Sequence, residues 1–453
     1  MEFLDKLVLP QSLEHLKLLH YLSGMVLFMF VPFMGMLIGG LWMSLYYKSK
    51  AVRSNNPIYL MYANDIIEHA SLTKSAGVIL GLVPVLGVIM TYTQILHTVQ
   101  NSIILYFFLS LVMFIPGVIF TYTYRYSFAF ASLFDNLKDS IHISEDDSKK
   151  TALEKYNTLG QKTFKMKNKA GKWGLFFLLS GLFFFSAGIT LLTSQEAWGS
   201  HTGLLSVFTN IHIWVRWFLF LVLSFVVSGG YLLFIYFYWE GGIEITDPTY
   251  KTIVSKSLPK ITLVFSLLLP LFIFLSVTRY SGQAYNSNVF LFLFISVSVL
   301  FAVYHFLYDM LKYEHVKTSL WVFVLVLAST FSLIVAEESA LSGFSHKHAM
   351  ILGQNFDLSV AELKKTTGAA GAVDPVAIFN TKCLACHAFD RKVVGPPYKE
   401  TLPKYEGDVT KLVEFIKNPY KIDPAYPIMP NQGLKPQEAV AIAKYIMEEY
   451  KKK

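Results

Sequence analysis

The sequence predicts an all-α protein: an eight-helix transmembrane bundle followed by a small α-helical domain outside the membrane. Three observations carry that expectation. Of 453 residues, 54% are hydrophobic and only 15% charged, with 38 Phe, which is the composition of a membrane protein. Eight apolar runs reach bilayer length. The apolar character ends near residue 338, and the polar segment beyond it holds the two cysteines of the chain.

The eight runs lie near 18–46, 74–97, 102–126, 173–194, 211–239, 258–279, 287–311 and 318–336. The second and third are joined by a very short turn. The first 17 residues mix polar and apolar side chains without a small-residue cleavage site, so no cleavable signal is expected. Leu4 to Leu18 reads as a short helix along the membrane surface. Residues 127–172 form a loop, acidic over Asp135–Asp147 and basic over Lys149–Lys172, read as a solvated helix pair without chemistry. Residues 339–372 are expected to link the bundle, 1–338, to the last domain, 373–453. Gly368-Ala369-Ala370-Gly371-Ala372 is the linker's flexible end.

Charge orients the bundle. Lys48, Lys50 and Arg53 follow the first run, and Arg125 with nine lysines from Lys138 to Lys172 follows the third. Lys251, Lys256 and Lys260 follow the fifth, and Lys312 and Lys317 the seventh. The alternate connections 98–101, 195–210 and 280–286 have no Lys or Arg. The positive-inside rule therefore places both termini outside. The formal net charge of +8 is mostly this cytoplasmic bias and gives no reason to expect nucleic acid.

The chemistry concentrates in Cys383-Leu384-Ala385-Cys386-His387. C-x-x-C-H is a haem attachment pattern: two thioether bonds fix the porphyrin and the histidine binds the iron. A zinc knuckle would need a second pair of ligands, and no further cysteine exists. Downstream, Tyr426-Pro427-Ile428-Met429-Pro430 places a methionine on a stiff loop. The flanking prolines exclude a helix interior, so Met429 reads as the sixth ligand rather than a core residue. With Val394-Gly395-Pro396-Pro397-Tyr398 and a closing helix over Lys435–Tyr450, residues 373–453 resemble a small class I bacterial cytochrome c. The resemblance implies one covalent haem c on the outer, oxidising side of a bacterial inner membrane, in agreement with the charge argument.

Ionisable groups inside a bilayer are costly and default to functional hypotheses. His20, His97 and His212 all lie at outer ends of runs, so a b haem is expected near the outer face. The alternative for each is an interfacial side chain. His305 lies some 18 residues into its run, roughly 27 Å inward, and is too deep to share an iron with them. Arg216, four residues after His212, and Arg279 are candidates for a haem propionate or for snorkelling to lipid phosphate. His69, His142, His201, His315, His346 and His348 read as solvent histidines.

Residues 1–340 also resemble a divergent subunit I of the cytochrome bd family. That family carries a histidine ligand before a Phe-Val-Pro stretch, as His20 precedes Phe30-Val31-Pro32. It has a haem b histidine opening its fifth helix, as His212 does, and a Val-Ala-Glu whose glutamate binds haem, as in Val335-Ala336-Glu337. The chain departs from the pattern. Glu338-Ser339-Ala340 replaces the Gly-Arg-Gln-Pro-Trp stretch, a short turn at 280–286 replaces the quinol loop, and Phe290–Leu293 lacks the methionine ligand. No Asp or Glu occurs between Ser75 and Phe130. His97 then stands as a replacement partner for His212, and Glu337 as a haem ligand or proton donor should the protein reduce a gas.

Three functions follow. The first is a multi-haem electron-transfer protein of a respiratory chain, linking a periplasmic redox protein or soluble cytochrome to membrane haems or the quinol pool. The second is a cytochrome bd-like reductase of oxygen or nitric oxide fed through haem c. The third is a cytochrome c on a haem-free membrane anchor. Membrane lipid and, by the bd resemblance, a second membrane subunit are expected partners.

Overall fold

Ser12 starts the first helix by accepting the His15 amide on its side chain, at 3.2 Å. The computed structural model describes residues 11–99, 102–138, 147–194, 197–199, 203–278, 280–366, 373–406 and 408–452. Every element among them is helical. Eight helices are long and apolar enough to cross a membrane. In chain order they are α1 (Leu13–Ser54), α3 (Lys74–Ile95), α4 (Ile103–Lys138), α5 (Asp147–Leu192), α7 (Ile211–Phe237), α8 (Pro248–Val277), α9 (Ser287–Tyr313) and α10 (Ser319–Thr366). Between them lie α2 (Pro57–Ser71) and the short α6 (Leu204–Thr209). The expected surface helix at Leu4–Leu18 falls partly outside the described residues; from Leu13 onward the chain is the first turn of α1.

α1 has 42 residues, hence roughly 63 Å, twice a hydrocarbon core. Its C-terminal half is covered by α2, an element the sequence reading assigned no role. Asn56 caps α2 through the Ile58 amide and Pro57 starts it. Tyr62, Ala63, Ile66, Ile67 and Ala70 are fully enclosed. The Ser44 hydroxyl donates to the Ala63 carbonyl at 2.5 Å. A side chain on Gly40 would put its Cβ 2.2 Å from that of Ala70, so only glycine permits this crossing.

α4 and α5, of 36 and 46 residues, run alongside one another and are longer than a bilayer requires, so the segment expected as a helix pair is the continuation of two spans. It is not wholly solvated, however. Lys167 is 4% exposed, with its ammonium over the rings of Phe128 and Phe164, and the Lys48 ammonium donates to the Lys167 carbonyl. α7 is the central helix, enclosed along most of its length between α1, α5 and α8. A Cβ on Gly229 would meet Thr262 Oγ1 at 2.0 Å, the small-residue contact by which membrane helices approach closely. α8 and α9 present most of their surface outward. His305 lies on the outward stripe of α9 with Phe294, Phe301 and Tyr308.

The chain divides into two units after Gln354, within α10. The segment expected to be a linker from residue 339 is therefore helical through Thr366, and Gly368–Ala372 lies outside the described residues. The second unit contains α11 (Pro375–Ile378), α12 (Tyr398–Thr401), α13 (Val409–Lys417) and α14 (Pro436–Lys452). Ala439, Ile442, Ala443, Ile446 and Met447 of α14 recur at three- and four-residue spacing and bury one face against Phe379, Tyr398, Leu402, Leu412 and Ile416. Glu438 reaches back to the Lys435 amide and fixes the start of that helix.

Candidate haem centre

Asp374 caps α11 through the amides of Val376 and Ala377, and Pro375 opens it. The helix passes into a wide turn, Phe379–Cys383. The amides of Cys386 and His387 both donate to the Cys383 carbonyl, at 3.1 and 3.0 Å. One helical turn thus carries both sulfurs and the imidazole. Both thiols are unpaired and half-buried, and burial pushes the Cys383 thiol up from its usual range, with the neighbouring Cys386 sulfur adding to it.

The next loop holds the histidine. The amides of Val394 and Gly395 donate to the Cys386 carbonyl, at 3.2 and 2.8 Å, folding 393–397 under the ring. His387 Nδ1 lies 3.0 Å from the Pro396 carbonyl. A carbonyl only accepts, so Nδ1 carries the proton and Nε2 is the nitrogen left for a metal. The Tyr398 ring stacks on the imidazole, with centroids 5.1 Å apart and planes 24° apart. A Cβ on Gly395 would come 2.4 Å from His387 Cε1.

Cys383, Cys386, His387 and Met429 line a single cleft of about 270 Å³ walled by Leu412, Phe415, Ile416 and Ile446. The cleft lies just under the roughly 300–1,000 Å³ usual for ligand sites, and it brings together the donors a haem needs. Met429 lies half-buried on the 423–433 loop. Asp423 accepts the Ala425 amide on its side chain, Gly433 takes a φ of +64°, and Asn431 Nδ2 donates to the Lys417 carbonyl at 3.0 Å.

Residues 374–448 match the cytochrome c family. Over 85 residues the chain is 36% identical to cytochrome c-551 of Pseudomonas aeruginosa, a stretch that is 18% of this chain and 81% of that protein. It is also 35% identical over 74 residues to cytochrome c-551 of Pseudomonas denitrificans, 16% of this chain and 90% of that one. The chain belongs to the cytochrome c family. No solved structure matches it. Membership implies a covalently bound haem c and electron transfer, here joined to a membrane-spanning helical region.

The membrane candidates are arranged differently from the expectation. His20 of α1 meets α10, with Nδ1 3.3 Å from Glu338 Oε2 and Nε2 3.4 Å from Ser345 Oγ. The Tyr92 hydroxyl donates to the other Glu338 oxygen at 2.5 Å. The glutamate that joins His20 is therefore Glu338 rather than Glu337. Glu337 pairs with Arg216 at 2.5 Å, and the guanidinium lies over the Tyr280 ring. Arg216 thus has a carboxylate partner within the chain; Arg279 is outside the described residues. His97 follows the end of α3, half-buried, and accepts on its carbonyl from His348 Nε2. His212 is half-buried in the first turn of α7.

Beside His20 the described residues leave no haem-sized space, while the buried Nδ1 of His97 has no hydrogen-bond partner. Both ring nitrogens of His20 are engaged. The slot lined by Arg216, Glu337, Val31 and Phe185 has about 30 Å³, the share of one water. The cleft around Met429 is several times larger.

Two histidines read as solvent groups are not. His348 also packs edge-on to Trp198, at 5.4 Å. His69 of α2 is half-buried with its ring against Tyr236, and burial pushes its pKa down. Beside it the Tyr250 hydroxyl donates to Asp65 at 2.5 Å and lies 3.0 Å from Tyr236 Oη. Burial raises the Asp65 carboxyl above the usual range. His315 and His346 are exposed, while His142 and His201 fall outside the described residues.

Sequence reasoning did not single out Glu338 as a partner of His20, nor Tyr92, Tyr280 or Ser345. The available signal was the seven-residue step from Glu338 to Ser345, which puts both on one helix face.

Proposed function

We propose that the protein is a membrane-tethered one-electron carrier of a respiratory chain. Its haem c exchanges electrons with a periplasmic redox protein or soluble cytochrome at the outer face of a bacterial inner membrane. The observation that carries this reading is the cleft in which Cys383, Cys386, His387 and Met429 converge. When bound there, haem supplies an iron that changes oxidation state by one electron without forming or breaking a bond to a substrate. The protein's own contribution is positional. Cys383 and Cys386 anchor the macrocycle, and the Pro396 carbonyl fixes the His387 tautomer. Met429 would offer its thioether to the iron, and such a ligand raises the reduction potential. Leu412, Phe415, Ile416 and Ile446 keep water from the cleft wall. The lysine bias of alternate loops supports periplasmic placement of this domain.

A cytochrome bd-like reductase is the second reading. The meeting of His20 and Glu338 from distant parts of the chain favours it, and the closed packing around them sets it second.

The covalent haem is tested with Cys383→Ala/Cys386→Ala. This variant should lose the haem-staining band on a denaturing gel, and Met429→Ala should keep the band with a lowered reduction potential. An undiminished band in the double variant would refute the assignment.

A further inference from the structure

We propose that Lys392 is the latch of the loop that carries Met429, and so sets how readily an external ligand takes the sixth position of the iron. The inference rests on haem c in the cleft with Met429 as its upper ligand.

The loops bearing the two axial residues are held unequally. The segment after His387 is pinned by backbone bonds. Val394 and Gly395 donate to Cys386, Tyr398 to Ala388 and Lys399 to Phe389, the last two at 3.0 and 3.1 Å. The methionine segment has no such anchorage among the described residues. Pro424, Pro427 and Pro430 lack an amide hydrogen. The bonds of Ala425 and Tyr426 to Asp423, and of Gly433 to Asn431, stay within the segment. Asn431 ties its far end to α13.

On the near side, three residues before Met429, stands Tyr426. The Lys392 ammonium lies over its ring, 4.5 Å from the centroid. Lys392 is five residues past His387, so this contact joins the lower loop to the upper one. An ammonium within about 6 Å of an aromatic face is attracted to it even at an exposed site. Because prolines flank Ile428 and Met429, the stretch moves as a stiff piece, and releasing Tyr426 releases the thioether with it. Ligand exchange then breaks one iron–sulfur bond and forms one iron–nitrogen bond, with no change in oxidation state.

The test is an imidazole titration of the oxidised full-length protein, followed by loss of the far-red sulfur-to-iron absorption. Lys392→Gln and Tyr426→Leu should each raise imidazole affinity roughly two- to fivefold, and together no more than either alone. Lys392→Arg keeps the cation and Tyr426→Phe keeps the ring face, so both should bind imidazole as the wild type does. Lys399→Gln, which removes a neighbouring lysine paired with Asp390 at 2.6 Å, should also leave affinity unchanged. Wild-type affinity in Lys392→Gln, or an equal rise in Lys399→Gln, would overturn the latch. Wild-type protein without the far-red absorption would remove Met429 as ligand, a failure distinct from that of the latch itself.

Discussion

At the residue scale, Gly395 shows how narrowly the haem site is built. Its missing side chain is the space that the His387 ring occupies, with Cε1 at 2.4 Å and Nδ1 at 2.9 Å from where a Cβ would stand. Gly395→Ala must push the ring or the 393–397 loop aside and strain the bond from Nδ1 to Pro396. Overpacking of this kind costs about 1–3 kcal/mol. Thermal unfolding followed at the haem absorption should register that loss, and a wild-type midpoint would contradict the packing described. The residues of this site were legible in the sequence because haem attachment confines them to one helical turn, and because prolines around Met429 exclude a helix. Glu338 was not legible as the partner of His20. The two are 318 residues apart, and no local pattern encodes a pairing made only by packing α1 against α10.

At the element scale, α7 and α10 are fastened to one another by a charged pair. Arg216 and Glu337 are both largely shielded from water, with side-chain exposures of 4% and 16%. Removing one partner strands the other charge, which costs about 3–5 kcal/mol, whereas replacing both with apolar groups restores most of it. Arg216→Met and Glu337→Leu should each lower the unfolding temperature in detergent, and the double variant should be more stable than either. Single variants as stable as the wild type would show that the pair does not hold the helices. The spans themselves were legible, since apolar length alone sets them. The cover over the C-terminal half of α1 was not. α2 has 15 residues, too few to span, and it is buried only because α1 continues far enough to receive it.

At the scale of the whole molecule, the protein joins a unit whose cleft gathers two cysteines, a histidine and a methionine to a bundle in which charged side chains from distant helices meet. His20, Tyr92 and Ser345 surround Glu338, and Arg216 takes Glu337. The expectation of a b haem came from three histidines at similar depth. Depth along a helix says nothing of which way a ring turns, and the His20 ring turns toward a carboxylate and a serine. The carrier reading follows from that difference between the two units. Pyridine haemochrome analysis of the purified full-length protein, with the haem counted per chain after acid–acetone extraction, tests it most directly. The carrier reading predicts one haem per chain, all of it c-type and none extractable. A second, extractable b-type haem that disappears in His20→Ala or His212→Ala would contradict it and make a multi-haem protein, carrier or bd-like reductase, the better account.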